Sequence, residues 1–328
     1  MDIARELGIS KSTVSRALSG DTSNVKAETL QKIMKTAHRM GYHRNDLAVH
    51  LRQQRTHNIG IIIPEIITTF YMTFINEVQA ILRKQGYKVM IAISSENPKQ
   101  ERENLLMMEQ LRVDGILMSV CDKDLNVDLY NKVIERGIPI VFFDRTVEGV
   151  QASQVRMDDY IMAFFMVDAL LRKGYKHILH IPGPAYIRNS RERQRGYRDA
   201  LEKFHVAYQA QDILQPALSA EEGSRVMEQY LEKNIPFDAV FGFTETAVLG
   251  AKSTLQKHKM RIPDDVALCC MSGTALATLV HPQLTAVEQP IGEMARESCR
   301  LLMEHLADNN KKTEEIALRG ETVVREST

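Results

Sequence analysis

Gly8-Ile9-Ser10-Lys11-Ser12-Thr13-Val14-Ser15-Arg16-Ala17-Leu18 is the stretch on which the reading of this chain turns. Serine is a residue type that caps the free amides of a helix start, so Ser10 opens a helix whose Val14, Ala17 and Leu18 share one face. Gly20 closes it. Ahead of it Ile3, Ala4 and Leu7 form a second apolar face that stops at Gly8, leaving a turn of roughly three or four residues between the two helices. Residues 26–40 read as a third helix with Leu30, Ile33, Met34 and Ala37 on one side and Gly41 at its end. Three short helices on one apolar seam make an all-α helix-turn-helix head. The polar face of the second helix, opposite Val14 and Leu18, is left to enter a major groove. Its first residues reach base edges first, so Lys11 and Ser12 are the candidates for direct readout, with Arg16 one turn along. Ser10, Thr13 and Ser15 suit phosphate contacts, which fix register without reading sequence. The competing reading of the same residues is an amphipathic helical pair with a solvated polar face.

Charge separates the head from the rest. The 328 residues carry 42 Lys or Arg and 42 Asp or Glu, a net charge of zero that by itself argues against a nucleic-acid binder. Residues 1–57 nevertheless hold ten basic side chains (5, 11, 16, 26, 32, 35, 39, 44, 52 and 55) against five acidic ones (2, 6, 21, 28 and 46), a net of +5. The remainder therefore carries −5, which concentrates the attraction for phosphate in one small module.

Residues 44–57 are polar and basic, with Leu47, Ala48 and Leu51 at helical spacing, and are too few for a domain. Beyond them the rhythm changes to short apolar runs at 59–64, 88–93, 115–120, 138–144, 177–181, 239–243 and 266–271. Amphipathic segments fall between, near 71–85, 99–111, 126–136, 160–173, 191–204, 221–233 and 246–257. Such alternation predicts an α/β body of parallel sheets with helices on both faces, whose ligands bind at the carboxyl ends of the strands. Cys121, Cys269, Cys270 and Cys299 have no metal-ligand spacing and read as reduced thiols. No run approaches the roughly twenty apolar residues of a membrane span, and no secretion signal opens the chain, so the expected compartment is cytoplasmic, with no membrane partner.

The chain resembles the LacI/GalR family of bacterial repressors along essentially its whole length. In the head the match is carried by Asp2-Ile3-Ala4, Val14-Ser15-Arg16, Gly41-Tyr42 and Leu47-Ala48. In the body it is carried by Ile59-Gly60-Ile61-Ile62-Ile63-Pro64, Arg112-Val113-Asp114-Gly115, Gly137-Ile138-Pro139 and Arg193-Gln194-Arg195-Gly196-Tyr197. Ile262-Pro263-Asp264-Asp265 and Pro282-Gln283-Leu284-Thr285 extend it toward the C-terminus. The resemblance implies a helix-turn-helix domain at 1–43, a hinge helix at 44–57 and an effector-binding body at 58–328. That body would be two Rossmann-like subdomains of the periplasmic-binding-protein type joined by three crossovers. Their expected extents are about 58–157 with 291–312, and about 158–290 with 313–328. It further implies a homodimer on a pseudo-palindromic operator of double-stranded DNA, controlled by a small-molecule effector, a sugar or sugar derivative. Asn45, Ala48 and Leu51 would contact DNA from the hinge, Leu51 as a minor-groove wedge; without the resemblance Leu51 is a packed linker leucine.

The head departs from the family in two ways. Arg44 stands where a proline usually precedes the hinge asparagine, and the chain begins almost inside its first helix, leaving that first turn uncapped. The second departure implies either a start further upstream or weaker DNA affinity. With no heptad tail after residue 325, tetramers through a C-terminal coiled coil are not expected.

Carried over by position, the effector pocket should include Phe70 and Tyr71 after the first strand, Arg145 after Asp144, and Asp158, Arg193, Glu245 and Ser272 opposite. Phe70 and Tyr71 serve equally as stacking platforms or as helix-start packing. Arg193, read as lying on an exposed helix, is suited to clamp hydroxyls or a carboxylate. Thr244-Glu245 and Ser272-Gly273 replace an Asn-Asp pair and an acidic pair of the family. With the arginines kept and acids lost, a negatively charged effector such as a uronate or sugar phosphate is expected, unless either arginine pairs with Glu245 or Asp158. A solute-binding or sensor protein without DNA regulation would share the body but has no use for a basic trihelical head. An enzyme is not expected: there is no phosphate-cradling Gly-rich loop, no Gly-x-Ser-x-Gly elbow and no metal cluster, and no cofactor is implied. His177 and His180, three apart in an apolar run, face opposite sides and read as structural.

Overall fold

The computed structural model describes residues 2–19, 25–41, 55–66, 68–121 and 125–328. It divides into two compact units, Met1–His57 and Asn58–Thr328.

The first unit holds α1 (Asp2–Glu6), α2 (Lys11–Ser19) and α3 (Ala27–Arg39). Gly8, at φ 64°, adopts the left-handed turn that stops α1, a conformation costly for residues with a Cβ. Ser10 then caps α2, its Oγ accepting from Thr13 N–H at 3.0 Å. Ile3, Ala4, Val14, Ala17, Ile33 and Ala37 form the buried seam, with Leu7, Leu18 and Leu30 packed against it. Met34 is a correction: it is 54% exposed, whereas Ile33, Thr36 and Ala37 are buried. The buried face of α3 is centred on Ile33, and one residue further turns Met34 by about 100° toward solvent.

The second unit begins with β1 (Asn58–Ile63), α4 (Thr69–Lys84), β2 (Lys88–Ile93), α5 (Pro98–Gln110), β3 (Gly115–Met118), α6 (Val127–Glu135), β4 (Ile140–Phe143) and β5 (Ser153–Met157). A second run follows: α7 (Asp159–Arg172), β6 (Ile178–Ile181), α8 (Arg188–Lys203), α9 (Ala220–Leu231), β7 (Ala239–Gly242), α10 (Glu245–Lys257), β8 (Ala267–Gly273), α11 (Leu276–Leu279) and β9 (Thr285–Glu288). It closes with α12 (Ile291–Ala307), β10 (Glu315–Leu318) and β11 (Glu321–Val323). The first sheet has the order β10-β5-β4-β3-β1-β2, parallel throughout. The second is β11-β9-β8-β7-β6, parallel except where β11 runs against β9.

Strand periodicity sorts the side chains onto the two faces of each sheet. Ile59, Ile61 and Ile63 pack with Phe74 of α4 and Leu301 of α12, while Ile62 packs with Leu105 and Met108 of α5. In the second sheet Ile181 and Cys270 join Val226 and Ala251, whereas Phe241 and Cys269 join Met166 and Tyr197. Cys269 and Cys270 thus bury their thiols on opposite faces, and all four cysteines are free. The helices α9 and α10 approach so closely that a Cβ on Gly223 would lie 2.0 Å from Ala247 O, and one on Gly250 1.8 Å from Ala220 O. Of the two histidines, His177 sits 2.8 Å from Asp212. His180 is buried between Tyr197 and Phe241, donates from Nδ1 to the Phe241 carbonyl, and is pushed down to about 4 by burial. Both hold the fold together.

The expected subdomain extents need one correction. Residues 313–318 do not belong with the second subdomain: β10 pairs parallel to β5, with Ile316 opposite Val155, and completes the edge of the first sheet. The unpaired backbone of β5 supplies the reason, since an edge offers hydrogen bonds even to a strand as short as Glu315-Ile316-Ala317-Leu318. The chain therefore crosses between sheets after β5, after β9 and after β10.

Candidate DNA-contact face and effector cleft

On α2 the buried Val14 and Ala17 turn Lys11, Ser12, Ser15 and Arg16 outward, with Thr13 half-buried at the edge. Ser10 is drawn into the cap and lies within 2.8 Å of the Ser12 and Thr13 hydroxyls. Asn45, Ala48 and Leu51 lie outside the described residues.

In the second unit a cleft opens where strands of both sheets end, as parallel sheets dictate. Its cavity volume is about 90 Å³, where roughly 10–15 Å³ in this measure holds one water. Phe70, Tyr71, Arg145, Arg193, Glu245 and Ser272, six of the seven expected pocket residues, line it together. Asp158 does not. It caps α7, accepting from Ile161 N–H at 3.1 Å, and the inward-facing acid is its neighbour Asp159. In a pair of acids at a helix start the first is used for capping and the second begins the helical turn.

On one wall Phe70 and Tyr71 are both buried, edge to face with ring centroids 5.0 Å apart, so packing and cleft lining are combined in the same rings. Tyr71 Oη donates to Asp144 Oδ2 at 2.8 Å and lies 3.0 Å from Ser119 Oγ. Asp144 has φ 57°, an uncommon backbone state for an aspartate. Burial raises its carboxyl to about 6, against the opposing pull of Arg145 and of the Tyr71 hydrogen bond. Beside it Arg145 Nη1 donates to Glu96 Oε2 at 2.8 Å.

On the other wall Arg193 is buried rather than exposed, which corrects the expectation for it. It shares its helix face with Gly196, Tyr197 and Ala200, all buried at helical spacing. Its Nε donates to Asp159 Oδ1 and its Nη1 to Phe243 O, both at 2.7 Å, with the guanidinium carbon 4.4 Å from the Phe243 ring centroid. Burial pushes the Asp159 carboxyl up while Arg193 pulls it down. Glu245 accepts from the backbone N–H and the hydroxyl of Thr274, and its own N–H donates to Ser272 Oγ at 3.1 Å. Neither arginine pairs with Glu245 or Asp158; both are satisfied by Glu96 and Asp159 instead, which removes the motive for an acidic effector.

Glu65, Thr68, Asn189, Phe243, Thr274 and Gln289 also line the cleft and were not singled out in the sequence. Their positions after β1, β6, β7 and β8, and at the crossover after β9, carried the signal; their residue types did not. Asn189 Oδ1 is buried with no hydrogen-bond partner. Among the described residues no cluster of metal-ligating side chains occurs, and no helix is long and apolar enough to cross a membrane.

Comparison with known proteins agrees with both halves of this architecture. Residues 1–45 match the family model described as bacterial regulatory proteins, lacI family. Residues 56–318 match the one described as periplasmic binding proteins and sugar binding domain of LacI family. The HTH-type transcriptional regulator DegA of Bacillus subtilis is 28% identical over 328 residues, covering 100% of this chain and 97% of that protein. Catabolite control protein A of Priestia megaterium is 28% identical over 313 residues, covering 95% and 92%. Among solved structures, a transcriptional regulator CelR-cellobiose complex superposes with a TM-score of 0.77 at 25% identity, covering 99% of this chain and 98% of that one. A basic trihelical head followed by a two-sheet body with a polar cleft, matched by family models over residues 1–45 and 56–318, means that this chain belongs to the LacI family of bacterial regulatory proteins.

Proposed function

We propose that this protein is a transcription regulator that binds a pseudo-palindromic operator as a homodimer and answers to a small polyhydroxylated effector held in the cleft. The observation that carries the reading is the outward face of α2, where Lys11, Ser12, Ser15 and Arg16 stand opposite the buried Val14 and Ala17. Lys11 and Ser12 read bases, Arg16 supports them one turn along, and Ser10, Thr13 and Ser15 approach phosphates. Asn45, Ala48 and Leu51 form the hinge that seats in the minor groove, and the angle between the two subdomains orders or melts it. Phe70, Tyr71, Arg145, Arg193, Glu245 and Ser272 form the effector site, without Asp158; a solved relative being a cellobiose complex supports a sugar-like ligand. The protein acts in the cytoplasm and has no catalytic role.

A gel-shift series on operator-like palindromes tests this. Affinity is expected to fall steeply between 50 and 200 mM salt, by about 10³-fold or more for six or more neutralised phosphates. Absence of binding at low salt removes the regulator reading. Lys11→Ala should relax base preference, at about 1–3 kcal/mol of lost discrimination. Leu51→Ala should reduce DNA bending and the effector response together.

A further inference from the structure

The cleft displays two guanidiniums, yet both are neutralised from behind its walls. Arg145 donates to Glu96 at 2.8 Å, and Arg193 donates to Asp159 at 2.7 Å. Neither Glu96 nor Asp159 lines the cleft. In front of them three carboxylates line it, Glu65, Asp144 and Glu245, and the hydrogen bonds of the last two come from neutral donors. Asp144 is held by the Tyr71 hydroxyl, and Glu245 by the backbone and hydroxyl of Thr274. The Asn189 Oδ1 atom adds a buried acceptor that no protein donor meets. A ligand entering here meets acceptors that need protons and negative charges with no spare cation among these groups. A carboxylate or phosphate would be set beside Asp144 and Glu245, a like-charge juxtaposition that selects against it.

We infer that the cleft selects an uncharged ligand that donates hydrogen bonds through hydroxyl groups, and that Asp159 and Glu96 set this selection although they do not touch the ligand. The inference rests on the cleft being the effector site. Asp159 and Glu96 act here through Arg193 and Arg145, as positioning and neutralising residues. Removing either acid's charge, even where an amide oxygen still accepts the arginine N–H, leaves the guanidinium lining the cleft with an uncompensated positive charge, the chemistry that attracts a carboxylate or phosphate.

The test is calorimetric titration of the full chain with matched sets of compounds: cellobiose, ribose and glucose, glucuronate, and the phosphates of ribose and glucose. It is run on the unaltered protein and on Glu96→Gln and Asp159→Asn, with folding checked by circular dichroism. The expected result is that the unaltered protein binds at least one neutral sugar and binds the acidic counterpart about ten-fold more weakly or worse. Glu96→Gln and Asp159→Asn should each shift that ratio toward the acidic compound by about ten-fold. Should the buried Asp159→Asn variant fail to fold, the Glu96→Gln variant decides, because Glu96 sits at the partly solvated edge. The inference is overturned if an acidic compound binds the unaltered protein as well as its neutral counterpart, if no neutral sugar binds, or if folded variants leave the ratio unchanged. Tyr71→Ala and Asn189→Ala separate this from failure of the site itself. Acidic binding lost in those variants overturns the charge selection alone, whereas binding indifferent to both places the ligand elsewhere and removes the effector-site reading as well.

Discussion

The two walls of the cleft are built to different standards of rigidity. On the second-subdomain wall, Arg193 and Asp159 are a fully buried pair with side-chain exposures of 3% and 5%, and the guanidinium is further fixed by a carbonyl and an aromatic face. On the first-subdomain wall, Arg145 pairs with a Glu96 whose side chain is 28% exposed, and the neighbouring Asp144 sits in a left-handed backbone state. A buried ion pair loses heavily when one partner is removed, while a partly solvated one is screened and replaceable by water. A left-handed aspartate stores about 1–3 kcal/mol that its surroundings must hold in place. The difference teaches that one wall is pinned by a pair sealed from water on both sides, whereas the pair on the other keeps one partner within reach of solvent.

Four measurements break or sharpen that contrast. The largest effect is expected from Asp159→Ala, which strands Arg193 and should cost about 3–5 kcal/mol in denaturant unfolding, against roughly 1 kcal/mol for Glu96→Ala. Equal losses for the two would mean that the walls do not differ. Next is the pH response of Asp144. Its folded pKa of about 6 lies above the ordinary 3.8, so the folded state holds its proton longer than the unfolded chain does. The stability it contributes is complete below pH 4 and is lost as pH rises through 6, an amount of roughly 3 kcal/mol at 1.36 kcal/mol per pH unit. Asp144→Asn should therefore melt at a higher temperature than the unaltered protein at pH 8, with the gap closing as the pH approaches 4. A constant gap across that range would place the titrating group elsewhere. Tyr71→Phe removes the hydroxyl shared by Asp144 and Ser119 and should cost about 1–2 kcal/mol, with the Asp144 titration moving further upward. Smallest is Ser272→Ala, which leaves the Glu245 N–H without its acceptor on the rigid wall and should cost about 1 kcal/mol by the same unfolding assay.

Much of the body was legible because burial on both faces of a parallel sheet writes long apolar runs. Ile59 to Ile63 is the plainest case, with its side chains divided between two packed clusters. At one side of the sheets β5, β10 and β11 were not legible, although the edge strands of the other side, β2 and β6, were. Ser153-Gln154-Val155-Arg156-Met157 alternates weakly, and β10 and β11 are only four and three residues long, so what places them is the open hydrogen-bonding edge of a neighbour they meet only after folding. In the cleft, position outperformed residue chemistry. Arg193 lines the cleft but was given the wrong exposure, because the charged run from Arg188 to Arg198 hides the buried residues that share its face. The spacing of Gly196, Tyr197 and Ala200 from it was the available signal. The partners that cancel its charge and that of Arg145 could not be read, since Asp159 and Glu96 lie 34 and 49 residues away along the chain.

The return of the chain to each sheet has a consequence for biosynthesis. The first sheet lacks its β10 edge until residue 318 has been made, and the second lacks β11 until residue 323. Although synthesis delivers the strands of the first subdomain long before those of the second, neither layer can be sealed in the order of translation. From residue 157, where β5 ends, until residue 318 has been made, the nascent chain therefore carries β5 without the strand that pairs with its outer edge.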